Sequence, residues 1–230
     1  MLPAELFKSS IGKKAISAIT GLILFAFVVG HLLGNLQIYM GQNQINVYSQ
    51  HLRDMGALLW SVRIFLLMAL LLHIFITVKL ARENRAARPI PYVYKDTVQT
   101  SFASVTMMIS GLIIFAYIIY HLLHFTFRIT NPSISYFQDA AGRFDVYSMM
   151  VMSFRNYAIS AAYIISMALL CLHLSHGLSS WCQSLGFNDA KWDPCLKRVG
   201  RFLALAIFLG YSSIPVSVLL NIIKLPVGRI

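Results

Sequence analysis

Residues 15–36 read AISAITGLILFAFVVGHLLGNL, a stretch without one charged side chain and with His31 near its end. The hydrocarbon core of a bilayer is about 30 Å thick and takes ~20 helical residues at 1.5 Å each. The stretch is long enough to cross. It starts too late, runs too long and holds too many glycines for a cleaved leader, and no small-residue cleavage site follows it. It also lacks the two-residue alternation of a barrel strand, so a helix is the form that satisfies its backbone in lipid.

Four more stretches meet the same test: 57–78, 101–127, 157–181 and 202–223. Composition agrees with them. Of the 230 residues, 58% are hydrophobic and 12% charged, where a soluble domain carries roughly a quarter charged. The expectation is an all-α integral membrane protein: one membrane domain over 1–230, five transmembrane helices, no internal repeat and no separate soluble domain. Helices one to four should form a bundle, with the fifth at its periphery. Pro215 lies inside the fifth and should kink it. Cys171, Cys182 and Cys195 lack Cys-x-x-Cys spacing and read as reduced thiols.

In a soluble protein a net charge of +11 would point to nucleic acid. Here the Lys and Arg residues flank apolar blocks, so the partner is the lipid bilayer and not nucleic acid. Twelve of the 19 fall on the side of the N-terminus, among them Lys13, Lys14, Arg88, Lys95 and Lys197; seven, including Arg53, Arg128 and Arg229, fall on the other. The positive-inside rule then puts the N-terminus in the cytoplasm and the C-terminus outside. Arg63 is the one basic residue within a span, close enough to its outer end to snorkel.

Six of the seven histidines lie in the spans: His31, His73, His121, His124, His173 and His176. A lone intramembrane His is more often a satisfied core residue than a ligand, but four helices each carrying one shift that balance. Depth sorts them. His31 follows Lys14 by 17 residues, ~25 Å along a helix, whereas His73 precedes Lys79 by six, ~9 Å. By the same count His121 belongs to the outer half and His173 to the inner half, with ~15 Å between the levels. Metal–nitrogen bonds are only about 2 Å long, so no single ion can use all four. Two haems can, each between two imidazoles of facing helices: His31 with His121 outside, His73 with His173 inside. Two axial imidazoles leave iron no place for oxygen, which suits electron transfer. Without a Cys-x-x-Cys-His motif the haems would be non-covalent, type b. Gly30, Gly34, Gly111 and Gly177 would let helices approach a flat macrocycle. His124 and His176, one turn beyond the ligands, could be alternative ligands, propionate partners or quinone contacts.

These residues carry a resemblance. In order along the chain come Ser10-Ile11-Gly12-Lys13-Lys14, Thr20-Gly21, Gly30-His31-Leu32-Leu33-Gly34-Asn35, His73, and Tyr120-His121-Leu122-Leu123-His124. Asp145-Val146-Tyr147, Leu172-His173-Leu174-Ser175-His176-Gly177 and Gln183-Ser184-Leu185-Gly186 follow. The ordered set resembles the two-haem cytochrome b subunit of succinate:quinone oxidoreductases and quinol:fumarate reductases, the five-helix, single-anchor type. The resemblance implies haem ligands at His31, His73, His121 and His173, in the pairs that depth suggests. It implies a place in the respiratory chain and tricarboxylic acid cycle, in a bacterial-type inner membrane. It also implies a flavoprotein partner with FAD and an iron–sulfur partner on the cytoplasmic face. The dicarboxylate chemistry would lie on the flavoprotein, since this chain has no dinucleotide fingerprint and no cysteine cluster. Its own task would be to pass electrons between the iron–sulfur partner and a membrane quinone such as menaquinone.

Quinone chemistry needs proton donors beside an apolar slot open to lipid, and two regions offer them. On the inner side stand Ser10, Lys14, Ser17 and Trp181; on the outer side Tyr48, His51 and His124. Helix capping and lipid-phosphate contact explain the inner set equally well. Other readings remain: the cytochrome b anchor of a formate dehydrogenase or hydrogenase, a haem-free transporter or proton channel with a histidine relay, and a purely structural anchor.

Overall fold

A computed structural model describes residues 7–87, 102–187, 189 and 191–226. Arg88, Lys95 and Arg229 of the charge count, and Ser101 at the expected start of the third span, lie outside the described residues. Five helices in it are long and apolar enough to cross a membrane. The chain is a multi-pass, all-helical membrane protein; among the described residues it forms no strand, only a single antiparallel bridge between Gln138 and Phe144.

Helix α1 (Ser10–Leu36) begins where the Ser9 hydroxyl accepts the Gly12 N–H at 3.0 Å, and it ends in a tight turn at Gln37–Met40. Gly41, with φ of 95°, breaks the run, and the short polar helix α2 (Gln42–Asp54) follows. Gly56 (φ 53°) makes the next break before α3 (Ala57–Ala86). This helix continues two turns past the apolar window because Lys79–Ala86 is built of strong helix formers. The extension brings Glu83 to Lys13, which is only 3% exposed, and the two form an ion pair that ties α1 to α3 at the end where the chain begins, the near end.

The third span is α4 (Met107–His121), continued by a π-helical turn at Leu122–Thr126. At the far end lies α5 (Val146–Phe154), capped by Asp145, and then α6 (Tyr157–Ser184), capped by Asn156. The last helix is α7 (Asp193–Leu219). Asp145 is the hub of the far end. Its carboxylate accepts from Gln42 at 2.8 Å, from Asn46 at 3.1 Å and from the Ser148 N–H at 3.1 Å, so the connections between spans one and two and between spans three and four are locked together. Beneath it Ile38, Ile45, Met150, Val151, Phe154, Tyr163 and Ile214 form the tightest apolar core. Elsewhere large side chains such as Phe65, Met68 and Phe75 face outward, as lipid-facing surface does.

The closely packed helix pairs are α1 with α3, α1 with α6, α4 with α6, and α7 with both α1 and α6. Spans one to four thus run α3, α1, α6, α4 around the bundle. The fifth span, α7, seats on the outside of α1 and α6 and buries Ala204, Ile207, Ile214, Pro215 and Val218. Small residues permit the close approach. A Cβ on Gly210 would stand 2.9 Å from a Leu32 methyl, and one on Gly200 would stand 3.3 Å from the Leu178 Cβ. Tyr211 then donates to the Val28 carbonyl at 2.8 Å. The helix continues through Pro215 to Leu219.

Candidate functional site

The histidine pairs lie on the diagonals of this bundle. His31 on α1 meets His121, the last residue of α4, with ring centroids 5.8 Å apart and planes at 82°. Two metal–nitrogen bonds of about 2.0 Å on opposite sides of one ion would put such centroids ~6 Å apart. An aromatic cage holds the rings: Phe27 stacks on His31 at 5.3 Å, Tyr211 lies 6.2 Å from it, and Tyr117 and Phe125 flank His121 at 5.9 and 5.7 Å. The nearest polar contact is loose, with the Tyr163 hydroxyl 3.5 Å from His121 Nδ1.

At the near level the hydrogen bonds decide which nitrogen carries the proton. His73 Nδ1 lies 3.1 Å from the Ser17 carbonyl, which can only accept, so Nδ1 bears the hydrogen. Thr20 Oγ1, 3.0 Å away, already donates to the Ile16 carbonyl and accepts here as well. Across the bundle His173 Nδ1 lies 3.3 Å from Ser110 Oγ, whose one hydrogen goes to the Met107 carbonyl at 3.1 Å. With that hydrogen on Met107, His173 Nδ1 donates to Ser110 Oγ as well. In this arrangement both imidazoles keep a bare Nε2 lone pair, a nitrogen that metals use.

Small residues lie against these rings. Gly21 admits His73 against α1, where a Cβ would stand 3.2 Å from its Cε1; Gly111 does the same for His173 at 3.4 Å. At Gly30 and Gly177 an added Cβ would meet nothing within 4 Å. Gly34 does a different task, since the Tyr48 ring lies on it, its hydroxyl 2.7 Å from where a Cβ would be. Among the described residues no three His, Cys, Asp or Glu side chains converge as a metal cage.

His124 is elsewhere. The π turn after His121 holds it fully buried, with Nδ1 2.9 Å from the Tyr163 hydroxyl and Nε2 3.1 Å from Ser153 Oγ. Both ring nitrogens are engaged within the protein, which leaves none for a quinone headgroup or an iron. Tyr48 stands on Gly34 and His51 is exposed, so the structure does not gather the outer trio. Of the inner candidates, Ser10 and Lys14 are exposed, Ser17 offers its carbonyl to His73, and the buried indole N–H of Trp181 has no acceptor among the described residues. His176 is partly buried one turn from His173.

Reading along the chain missed Thr20, Ser110 and Tyr163 as partners of the histidines. Each comes from a helix other than that of the ring it contacts, so no spacing within one helix reveals it. No protein-family model, characterised protein or solved structure matches the chain.

Proposed function

We propose that the chain is the membrane anchor and electron-transfer subunit of a succinate:quinone oxidoreductase or quinol:fumarate reductase. The observation that carries this is the near pair: two histidines on diagonal helices, each with Nδ1 beside a neighbouring acceptor, which leaves Nε2 bare. His31 and His121 would hold one haem b; His73 and His173 would hold the other. Haem iron with two axial imidazoles supplies reversible one-electron transfer. Ser17, Thr20 and Ser110 fix the tautomer and aim of the near ligands; Phe27, Tyr117, Phe125 and Tyr211 orient the far ones and keep water out.

In this reading the near end faces the cytoplasm of a bacterial-type inner membrane, as its excess of Lys and Arg favours. A flavoprotein with FAD and an iron–sulfur subunit would dock there, and membrane quinone would exchange electrons with the chain. The unpartnered Trp181 indole at the near end favours that side for the headgroup over the outer trio. The test is a reduced-minus-oxidised spectrum with haem stoichiometry on the purified chain. Two type b haems per chain are expected, and a colourless protein ends the proposal. Co-purification of a flavoprotein that turns over succinate separates this anchor from those of other dehydrogenases.

A further inference from the structure

At the far edge of the membrane three arginines stand together. Arg53, in the last turn of α2, and Arg128, just past the π turn, each lie over the ring of Phe144, at 4.1 and 4.2 Å from its centroid. Two like charges held that close to one ring also lie close to each other and repel. Arg128 itself has φ of 59°, a left-handed conformation at the chain reversal after span three. Burial, and then the charges of Arg128 and Arg63, hold the Arg53 guanidinium below its ordinary pKa. Arg63 in turn lies 5.1 Å over the indole of Trp60, which is 61% exposed on the lipid-facing surface of α3.

Arg128 Nη1 donates to the Ser135 carbonyl at 3.4 Å, but what the cluster lacks is a counter-charge. Arg53 Nη1 and Arg128 Nε are buried without a hydrogen-bond partner, and among the described residues neither guanidinium has a carboxylate within ion-pair distance. The acids of this end are turned elsewhere: Asp54 to Gln50, Asp139 to Arg143, Asp145 to Gln42 and Asn46. Desolvated, mutually repelling guanidiniums call for a counter-charge with several acceptor oxygens. Both side chains are only partly buried, so a ligand can reach their remaining nitrogens from the surface. Their level is that of lipid headgroups, since Arg53 directly precedes span two and Arg128 directly follows span three.

We propose that Arg53 and Arg128, stacked on Phe144 and backed by Arg63, form a binding site for a phosphate-type oxyanion, supplied by the headgroup of a phospholipid in the outer leaflet. Aromatic stacking fixes the two guanidiniums in advance, so binding costs little side-chain freedom. The site stands apart from the histidine pairs and does not rest on what they hold.

The test uses the full chain purified in detergent, its bound lipid counted by native mass spectrometry. Wild type is expected to retain a phospholipid through washing. R53Q and R128Q should each lose it, with affinity about tenfold weaker or more for a lost charge-assisted hydrogen bond. R155Q, at an exposed far-end arginine, should keep it. Thermal unfolding of the wild type alone covers the case in which a variant fails to fold. A rise in midpoint with short-chain phosphatidylglycerol but not with inorganic phosphate at equal ionic strength supports a lipid headgroup. An equal rise with both supports the oxyanion site and overturns the lipid as its source. No rise with either, or equal lipid retention in R53Q, R128Q and wild type, overturns the proposal.

Discussion

At the near level His73 and His173 are held by hydroxyls and a backbone carbonyl, whereas at the far level His31 and His121 stand among aromatic rings. The first arrangement fixes a proton on a known nitrogen; the second fixes the angle of a ring. Hydrogen-bonded ligands answer to chemistry, since removing one acceptor changes the basicity of the imidazole. Packed ligands answer to volume. The two levels should therefore respond to different substitutions, and independently, because they occupy opposite diagonals of the bundle.

The hardest blow to that contrast is the removal of a ligand. Each single His→Ala change at 31, 73, 121 or 173 should leave about half the haem per chain, one centre of two, assayed by pyridine haemochrome. Loss of both centres from any one change would show the levels to be coupled. Next comes volume at the near level. Gly21→Leu drives a side chain into the position of the His73 ring, where even a Cβ stands 3.2 Å from Cε1, and should empty that centre while sparing the far one. The far level has its own signature. Its 82° ring planes predict a strongly anisotropic low-spin ferric signal in electron paramagnetic resonance, and parallel-plane behaviour would contradict the geometry.

Smaller effects separate the two kinds of support. Ser110→Ala removes the acceptor from His173 Nδ1, makes the ligand less basic and should raise one midpoint potential by some tens of millivolts, roughly a tenfold change in redox equilibrium. Tyr163→Phe, across a looser 3.5 Å contact, should move the other potential by less. The smallest effect is acid loosening of the far cap. Burial alone would raise the Asp139 carboxyl, but hydrogen bonds from Arg143, Asn46 and Ala141 outweigh it and hold the group below its ordinary carboxylate value. A depressed carboxylate stabilises the fold above its unfolded pKa, and that contribution fades as pH falls through the folded value. Hydrogen-exchange protection factors around residues 139–145, corrected for the intrinsic rate, should therefore fall in acid before those of the near end, and Asp139→Asn should remove that pH dependence.

The spans were legible because 22 uncharged residues in lipid leave the backbone one choice. The meeting of His31 with His121 could be read from helical rise, since both are counted from charged anchors. Other features escaped the same arithmetic. The seat of α7 depends on Gly200 and Gly210 meeting Leu178 and Leu32 on other helices, a complementarity no single-helix pattern contains. His124 sits beyond His121 by three residues, which in an α-helix would point it the same way. A change of helical type between them cannot be seen in the letters LLHFT.

That widened turn stores one residue more than an α-helical turn would hold. Excising any one of positions 122–126 would let the segment relax to ordinary winding and rotate everything downstream by ~100°. His124 would swing off Tyr163 and Ser153, and Arg128 would leave the ring of Phe144. The chain is in this sense indexed at one point like a gear with an added tooth, and a one-residue deletion there should harm it more than most replacements of the same residues.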